Sequence, residues 1–288
     1  MGKVTAEYVF INGDVVPSLE GKVSIFDRGF LFADAVYEVV AIIDSKLLDA
    51  DAHLYRLKNS LSALRINYAI NDAKLIEEIK RLVEINEITE GLVYIQISRG
   101  VAPRSFEYPK AASPTVVMFT TTKNIVDDPV ATNGIRIITL EDIRWHRRNL
   151  KTVGLLAACM CKQEALDAGV DDAWLVESEN IVTEGTSSNA FILNEDNVLV
   201  TRQLGYEILP GITRRAVLEL AKEQDIRVDE RPFSVEEIYS AKEAFITSAT
   251  SLVTPVIEVN GKAISDGKPG ATSEKLRKIY LSIVADIR

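Results

Sequence analysis

Strand-like and helix-like patterns alternate along the whole chain, with no internal repeat and one polar, proline-ended interruption before the midpoint. That alternation restricts the chain to mixed α+β architecture, in two units rather than one continuous barrel or bundle. Residues 8–16, YVFINGDVV, read as a hairpin, because the Asn12-Gly13 pair supplies the positive φ that a two-residue turn requires. Residues 36–43 form an apolar, β-branched run interrupted only by Tyr37 and Glu38. From His53, the residues Leu54, Leu57, Leu61 and Leu64 recur at helical spacing, and Leu75, Ile76, Ile79, Leu82 and Val83 mark a second amphipathic helix. Strands are predicted at 92–98 and 115–121. The segment TKNIVDDP at 122–129 is polar and ends in proline. We therefore place an N-terminal α/β domain at 1–124, a linker at 125–133 and a larger C-terminal α/β domain at 134–288. Strands are expected in the latter at 135–140, 173–177, 190–193, 198–201 and 244–247, with a hairpin at Asn260-Gly261. Helices are expected at about 153–168, after Pro210-Gly211, near 235–241 and from about Ser273.

Composition matters mainly for what it excludes. Apolar residues make up 47% and charged residues 26%, a balance that supports a packed core rather than disorder. The 33 basic residues are outnumbered by 42 acidic ones, so the surface repels nucleic acid and anionic membranes. No apolar run approaches the roughly 18 residues of a membrane span, and the opening decapeptide lacks a signal-peptide core. The expectation is a cytoplasmic protein. Cys159 and Cys161 are the only cysteines and His53 and His146 the only histidines, so neither a disulfide framework nor a metal site is expected.

Three stretches carry chemistry. In Val182-Thr183-Glu184-Gly185-Thr186-Ser187-Ser188-Asn189, an acid is read in a turn at the mouth of an apolar strand. Turn chemistry explains Gly185 and the hydroxyls. It does not explain a carboxylate there, which must be exposed or paired and can hold a proton on a buried cationic heterocycle. Lys151 ends a run containing Arg144, His146, Arg147 and Arg148, which is either a solvated loop or a setting that favours a neutral lysine. The neutral amine is the form that attacks a carbonyl to make a Schiff base. Pro210-Gly211-Ile212-Thr213 opens a helix with unpaired backbone N–H groups and a hydroxyl, an anion cup, although any helix can begin this way. The small turn Thr247-Ser248-Ala249-Thr250-Ser251 is either a further donor set or an ordinary loop.

An imine-forming lysine, an acid for a ring nitrogen and donors for a phosphate together resemble the class IV aminotransferases, the fold-type IV pyridoxal-phosphate enzymes. The similarity runs from Phe10-Ile11-Asn12-Gly13 to Thr254-Pro255-Val256-Ile257-Glu258, and is most specific from Glu184 to Phe191. Leu209 to Arg214 and His53-Leu54-Tyr55-Arg56-Leu57 reinforce it. The resemblance implies pyridoxal 5'-phosphate as cofactor, with Lys151 as its covalent anchor and the catalytic base. It implies that Glu184 pairs with the pyridine nitrogen, Arg56 with the phosphate, and Leu209 with the ring face. The amides of Ile212 and Thr213 and the turn at Ala249 and Thr250 would complete the phosphate cup. Relatives usually carry threonine at the position of Ala249, a loss of about 1 kcal/mol if one neutral hydrogen bond goes.

The stretches from Phe26 to Val39 and from Ile97 to Arg104 look more like the D-amino-acid branch than the branched-chain one. In that branch the positions of Tyr37 and Arg104 bind the substrate carboxylate with help from a histidine two residues later, where this chain has Phe106. The implied activity is ping-pong transfer of an amino group from a D-alanine-like donor to 2-oxoglutarate or pyruvate, by a homodimer. A branched-chain L-aminotransferase, an (R)-selective amine transaminase, a 4-amino-4-deoxychorismate lyase and a non-catalytic binding protein remain alternatives.

Overall fold

Asn12 and Gly13 turn the chain with φ of 54° and 111°, and the strands they join, β1 (Tyr8–Ile11) and β2 (Asp14–Pro17), pair antiparallel. The computed structural model describes residues 6–286, with side chains through residue 283. Two compact units emerge. The first holds residues up to Ile125 together with Leu150–Gly154, and the second holds Val126–Asn149 and the residues from Leu155 onward.

In the first unit, β1 and β2 are followed by the short helix α1 (Arg28–Phe32), β3 (Ala35–Ile43) and β4 (Lys46–Leu47). Helices α2 (Ala50–Ala63) and α3 (Asp72–Ile85) precede β5 (Gly91–Ser98) and β6 (Thr115–Thr122). The six strands form one antiparallel sheet in the order β2-β1-β6-β5-β3-β4. Its inner face packs on the leucine stripes of α2 and α3, and Val40, Ile42, Leu54, Leu57, Ile79, Leu82, Ile95 and Met118 are fully buried there. Strand periodicity puts Glu38 in phase with Val36, Val40 and Ile42, so a carboxylate sits in this core while Tyr37 faces the other side.

The second unit begins with the helix α4 (Pro129–Asn133), capped by Asp128 and opened by its proline, within the region read as linker. Then follow β7 (Ile135–Glu141), α5 (Leu156–Asp167), β8 (Asp172–Glu177), β9 (Ile181–Gly185), β10 (Asn189–Leu193) and β11 (Val198–Thr201). After these come α6 (Ile212–Glu223), β12 (Arg227–Glu230), α7 (Val235–Ser240), β13 (Glu243–Ser248), β14 (Leu252–Val259), β15 (Lys262–Ala263) and α8 (Ala271–Asp286). The mixed sheet runs β12-β11-β10-β13-β14-β7-β8-β9, with β15 paired to β14. Trp174, Phe191, Phe233 and Phe245 fill its core, and Phe191 stacks on Phe245, its partner in register, at 4.8 Å.

Two local expectations need correction. Glu184 lies inside β9 rather than in the turn, which is made by the three residues after Gly185. The helix read from 153 starts only at Leu156. Residues before it are extended against β3: Tyr37 N–H donates to the Lys151 carbonyl at 3.0 Å, Val153 N–H to that of Ala35 at 3.2 Å, and Thr152 bridges Val36.

Candidate active site

In the second unit the candidate residues gather around Glu184. Position four of β9 is fully enclosed, so the carboxylate must find donors within the protein. Its Oε1 accepts from Arg144 Nη1 at 2.7 Å, and its Oε2 from Asn189 Nδ2 at 2.9 Å and from the Leu209 backbone N–H at 3.0 Å. Arg144 is itself shared. It donates through Nε to Asp142 Oδ1 at 2.9 Å and through Nη2 to Asp142 Oδ2 at 2.7 Å. Asp142 also accepts from Thr183 Oγ1 at 2.6 Å and lies 3.2 Å from Arg148 Nε. Burial pushes the Glu184 carboxyl above its ordinary value, and the Asp142 charge adds to this, against the pull of Arg144 and the Leu209 amide. A carboxylate offers about four acceptor positions and three are filled, which leaves one for a further N–H.

Asn189 links this acid to an anion cup. Its amide also donates to the Leu209 carbonyl at 2.9 Å, and a Cβ on Gly211 would stand 2.0 Å from its Oδ1, so glycine is required there. Gly211 caps α6 with no side-chain hydrogen bond, leaving the first N–H groups of a twelve-residue helix without that partner. Ile212 and Thr213 are buried at this helix start. Thr247 pairs with Asn189 across β13 and β10, on the same face, and its buried hydroxyl has no hydrogen-bond partner. Ala249 and Thr250 form the half-buried turn after β13, and Leu209 is half-buried.

The first unit holds Lys151. Its Nζ lies 4.3 Å from the centroid of the Tyr37 ring, and its backbone N–H reaches Ser60 Oγ at 3.4 Å. Tyr37 continues into a stack with Tyr94 at 5.4 Å, and Tyr94 with Phe119 at 4.8 Å. Behind β3, Arg56 Nε and Nη2 donate to the two Glu38 oxygens at 2.7 and 2.8 Å, and His53 Nδ1 lies 2.7 Å from Glu38 Oε2. His53, Arg56 and Ser60 share a face of α2 at i, i+3 and i+7. Glu38 uses two of the five donors of Arg56 and fixes the guanidinium plane. Burial would raise the Glu38 carboxyl, yet Arg56 and His53 hold it down at about 2. Burial also lowers the His53 imidazole, favouring its neutral form despite Glu38.

Arg104 is exposed, 5.4 Å from the Phe32 ring centroid and 5.9 Å from that of Phe106, which is itself 84% exposed. Sequence reasoning missed Asp142, Asn189, Glu38 and His53 as members of these clusters. It read Arg144 as pressing on Lys151, whereas two carboxylates engage that guanidinium. A charge inside an apolar run was the one available signal for Glu38.

An aminotransferase model, described as amino-transferase class IV, matches residues 35–259. The chain belongs to that family. The D-alanine aminotransferase of Bacillus licheniformis is 36% identical over 93% of this chain and 94% of its own length. Among solved structures, the Escherichia coli branched-chain amino acid aminotransferase superposes with a TM-score of 0.90 over 96% of this chain and 94% of that one, at 23% identity. The T.th. branched-chain amino acid aminotransferase with pyridoxamine 5'-phosphate gives 0.88 over 98% and 95%, at 25% identity. The mixed α+β fold expected from the sequence is thus that of the class IV aminotransferases, and the protein is an aminotransferase, acting between amino acids and 2-oxo acids. Class IV aminotransferases in general use pyridoxal phosphate. The residues of each unit fit that group: in the second, a buried acid with acceptor capacity to spare, an uncapped helix start and a buried, unpartnered hydroxyl, and in the first, the amine of Lys151. Among the described residues there is no cluster of potential metal ligands and no helix long and apolar enough to cross a membrane.

Proposed function

We propose that this chain is a cytoplasmic, homodimeric D-amino-acid aminotransferase that uses pyridoxal 5'-phosphate to move an amino group from a D-alanine-like donor to 2-oxoglutarate or pyruvate. Near-full-length similarity to enzymes named D-alanine aminotransferase supports the substrate class. Glu184, enclosed and three-quarters satisfied, carries the cofactor reading. Pyridoxal phosphate, when bound, supplies an electron sink for the charge left at the substrate Cα and carries the amino group between half-reactions. Lys151 would hold it through Nζ, and the same amine would move the proton at the substrate Cα as base and then acid. Glu184 keeps the ring nitrogen protonated, with Arg144 and Asn189 fixing its orientation. Ile212 and Thr213 amides, the Thr213 hydroxyl, the Ala249–Thr250 turn and Arg56 bind the phosphate. Leu209 packs on the ring. Tyr37 and Arg104 take the substrate carboxylate, and Phe106 makes that end of the pocket apolar.

The decisive measurement is a paired screen of D- and L-amino acids, then of 1-phenylethylamine, against one oxo acid. D-alanine should outpace L-alanine and the branched-chain L-amino acids by at least tenfold. Preference for the L series, or for the amine, would replace the substrate assignment. Lys151→Ala should abolish both turnover and the visible absorption of the lysine-bound cofactor, and normal turnover in that variant would remove Lys151 from the mechanism.

A further inference from the structure

The loop that carries Arg104 and Phe106 is pinned by a buried three-residue clamp on its own unit. Arg28 Nη1 donates to the carbonyls of Ser105 at 2.6 Å and Glu107 at 3.3 Å, the two neighbours of Phe106. Its Nε donates to Asp34 Oδ2 at 2.7 Å, and its guanidinium carbon lies 4.7 Å from the Phe32 ring centroid, the ring shared with Arg104. Arg99 grips the same carboxylate from the other side, through Nε to Oδ2 at 2.7 Å and Nη2 to Oδ1 at 2.9 Å. Arg99 then reaches the carbonyls of Leu64 and Arg65, both at 2.8 Å, just past the end of α2, and lies 3.6 Å from the Tyr108 ring centroid. All three side chains are less than a tenth exposed.

Other contacts flank these: Val101 bridges Asp27, the Ala102 N–H donates to the Phe26 carbonyl at 3.3 Å, and the Phe106 ring lies 5.7 Å from that of Phe32. Val101 and residues 109–114 border an open cavity of about 1240 Å³. The turn into the loop is fixed by Gly100, with φ of 97° and a site where a Cβ would meet the Ser113 carbonyl oxygen. At residues 105–108, Arg28 supplies the hydrogen bonds to the loop carbonyls and Arg99 packs on the Tyr108 ring. Asp34 pairs with both and orients both guanidinium groups.

We propose that Asp34 and Arg28 are positioning residues that set the placement of Arg104 and Phe106 and thereby the enzyme's preference for donors bearing a carboxylate. This rests on the substrate role assigned above to Arg104 and Phe106. The test uses the full-length holoenzyme with Asp34→Asn and, as a milder lesion, Arg28→Lys, which keeps the charge but loses the fork. D-alanine kinetics should show KM raised about tenfold with a much smaller change in kcat, and the D-alanine to 1-phenylethylamine ratio should fall. Limited trypsin digestion should cut after Arg104 at least fivefold faster, with cutting elsewhere and thermal unfolding moved much less. Unchanged cleavage and unchanged KM in a folded variant would overturn the proposal, as would cleavage accelerated uniformly along the chain. If the wild type fails to use D-amino acids, the functional reading fails, while faster cutting confined to Arg104 would still establish the clamp.

Discussion

Each unit buries one glutamate beside one arginine, and the two carboxyls shift in opposite directions. Glu38 has Arg56 forked across both oxygens and His53 on one of them, and it is held at about 2 although it is wholly enclosed. Glu184 is equally enclosed, but its arginine is divided with Asp142, and its carboxyl rises above the ordinary range. Burial raises both, but Arg56 spans both Glu38 oxygens with His53 on one of them, whereas Arg144 meets only one Glu184 oxygen and is shared with Asp142. A carboxylate forked through both oxygens by a guanidinium is a fixed brace. One with half a cation is still short of positive charge, which is the condition that favours a protonated ring nitrogen.

Removing the brace should have the largest effect. Glu38→Gln removes the buried carboxylate that Arg56 grips through both oxygens, and should cost about 3–5 kcal/mol in urea or thermal unfolding. A loss below 1 kcal/mol would show that the pair does not hold β3 to α2. The same group predicts a pH signature. Its folded value of about 2 lies below the 4.5 of the free side chain, so the stabilisation is complete above 4.5 and drains away as pH falls toward 2. That window is worth roughly 3 kcal/mol.

Glu184→Gln should act on the reaction instead, lowering kcat by about 10²-fold while weakening cofactor binding much less. Equal losses in both would make it a second brace and erase the contrast. A smaller change is expected for Asp142→Asn, which returns all of Arg144 to Glu184 and pulls that carboxyl down. Turnover should fall roughly tenfold, by analogy with one altered charge contact, and the acid limb of the pH–rate profile should move to lower pH. An unmoved profile would mean that dividing the arginine is immaterial.

Much of this was legible in residue order. The leucine stripes placed α2 and α3, and Asn12-Gly13 fixed its hairpin because only a few residue types tolerate that backbone. Lys151 and Glu184 stood out through the company of their motifs. What escaped were partners far apart along the chain: Arg144 and Glu184 are 40 residues apart, and Arg28 and Ser105 are 77 apart. No local pattern encodes such pairs. Elements too short or too exposed to show a period, such as the five-residue α1 and the edge strand β12, were invisible for the same reason. Glu184 was read in a turn because hydroxyls and glycine follow it, yet strand pairing with β8 extends through Gly185.

The five residues from Leu150 to Gly154 leave one unit, join the other and return, so the backbone passes between the two three times. Nicking the junction after Ile125 would therefore not yield separable fragments. A recombinant graft of residues 1–125 onto a related scaffold would inherit a foreign strip against Val36, with the donor's lysine left behind. Chimeras meant to exchange substrate preference should transplant that pentapeptide together with the rest, as a discontinuous cassette.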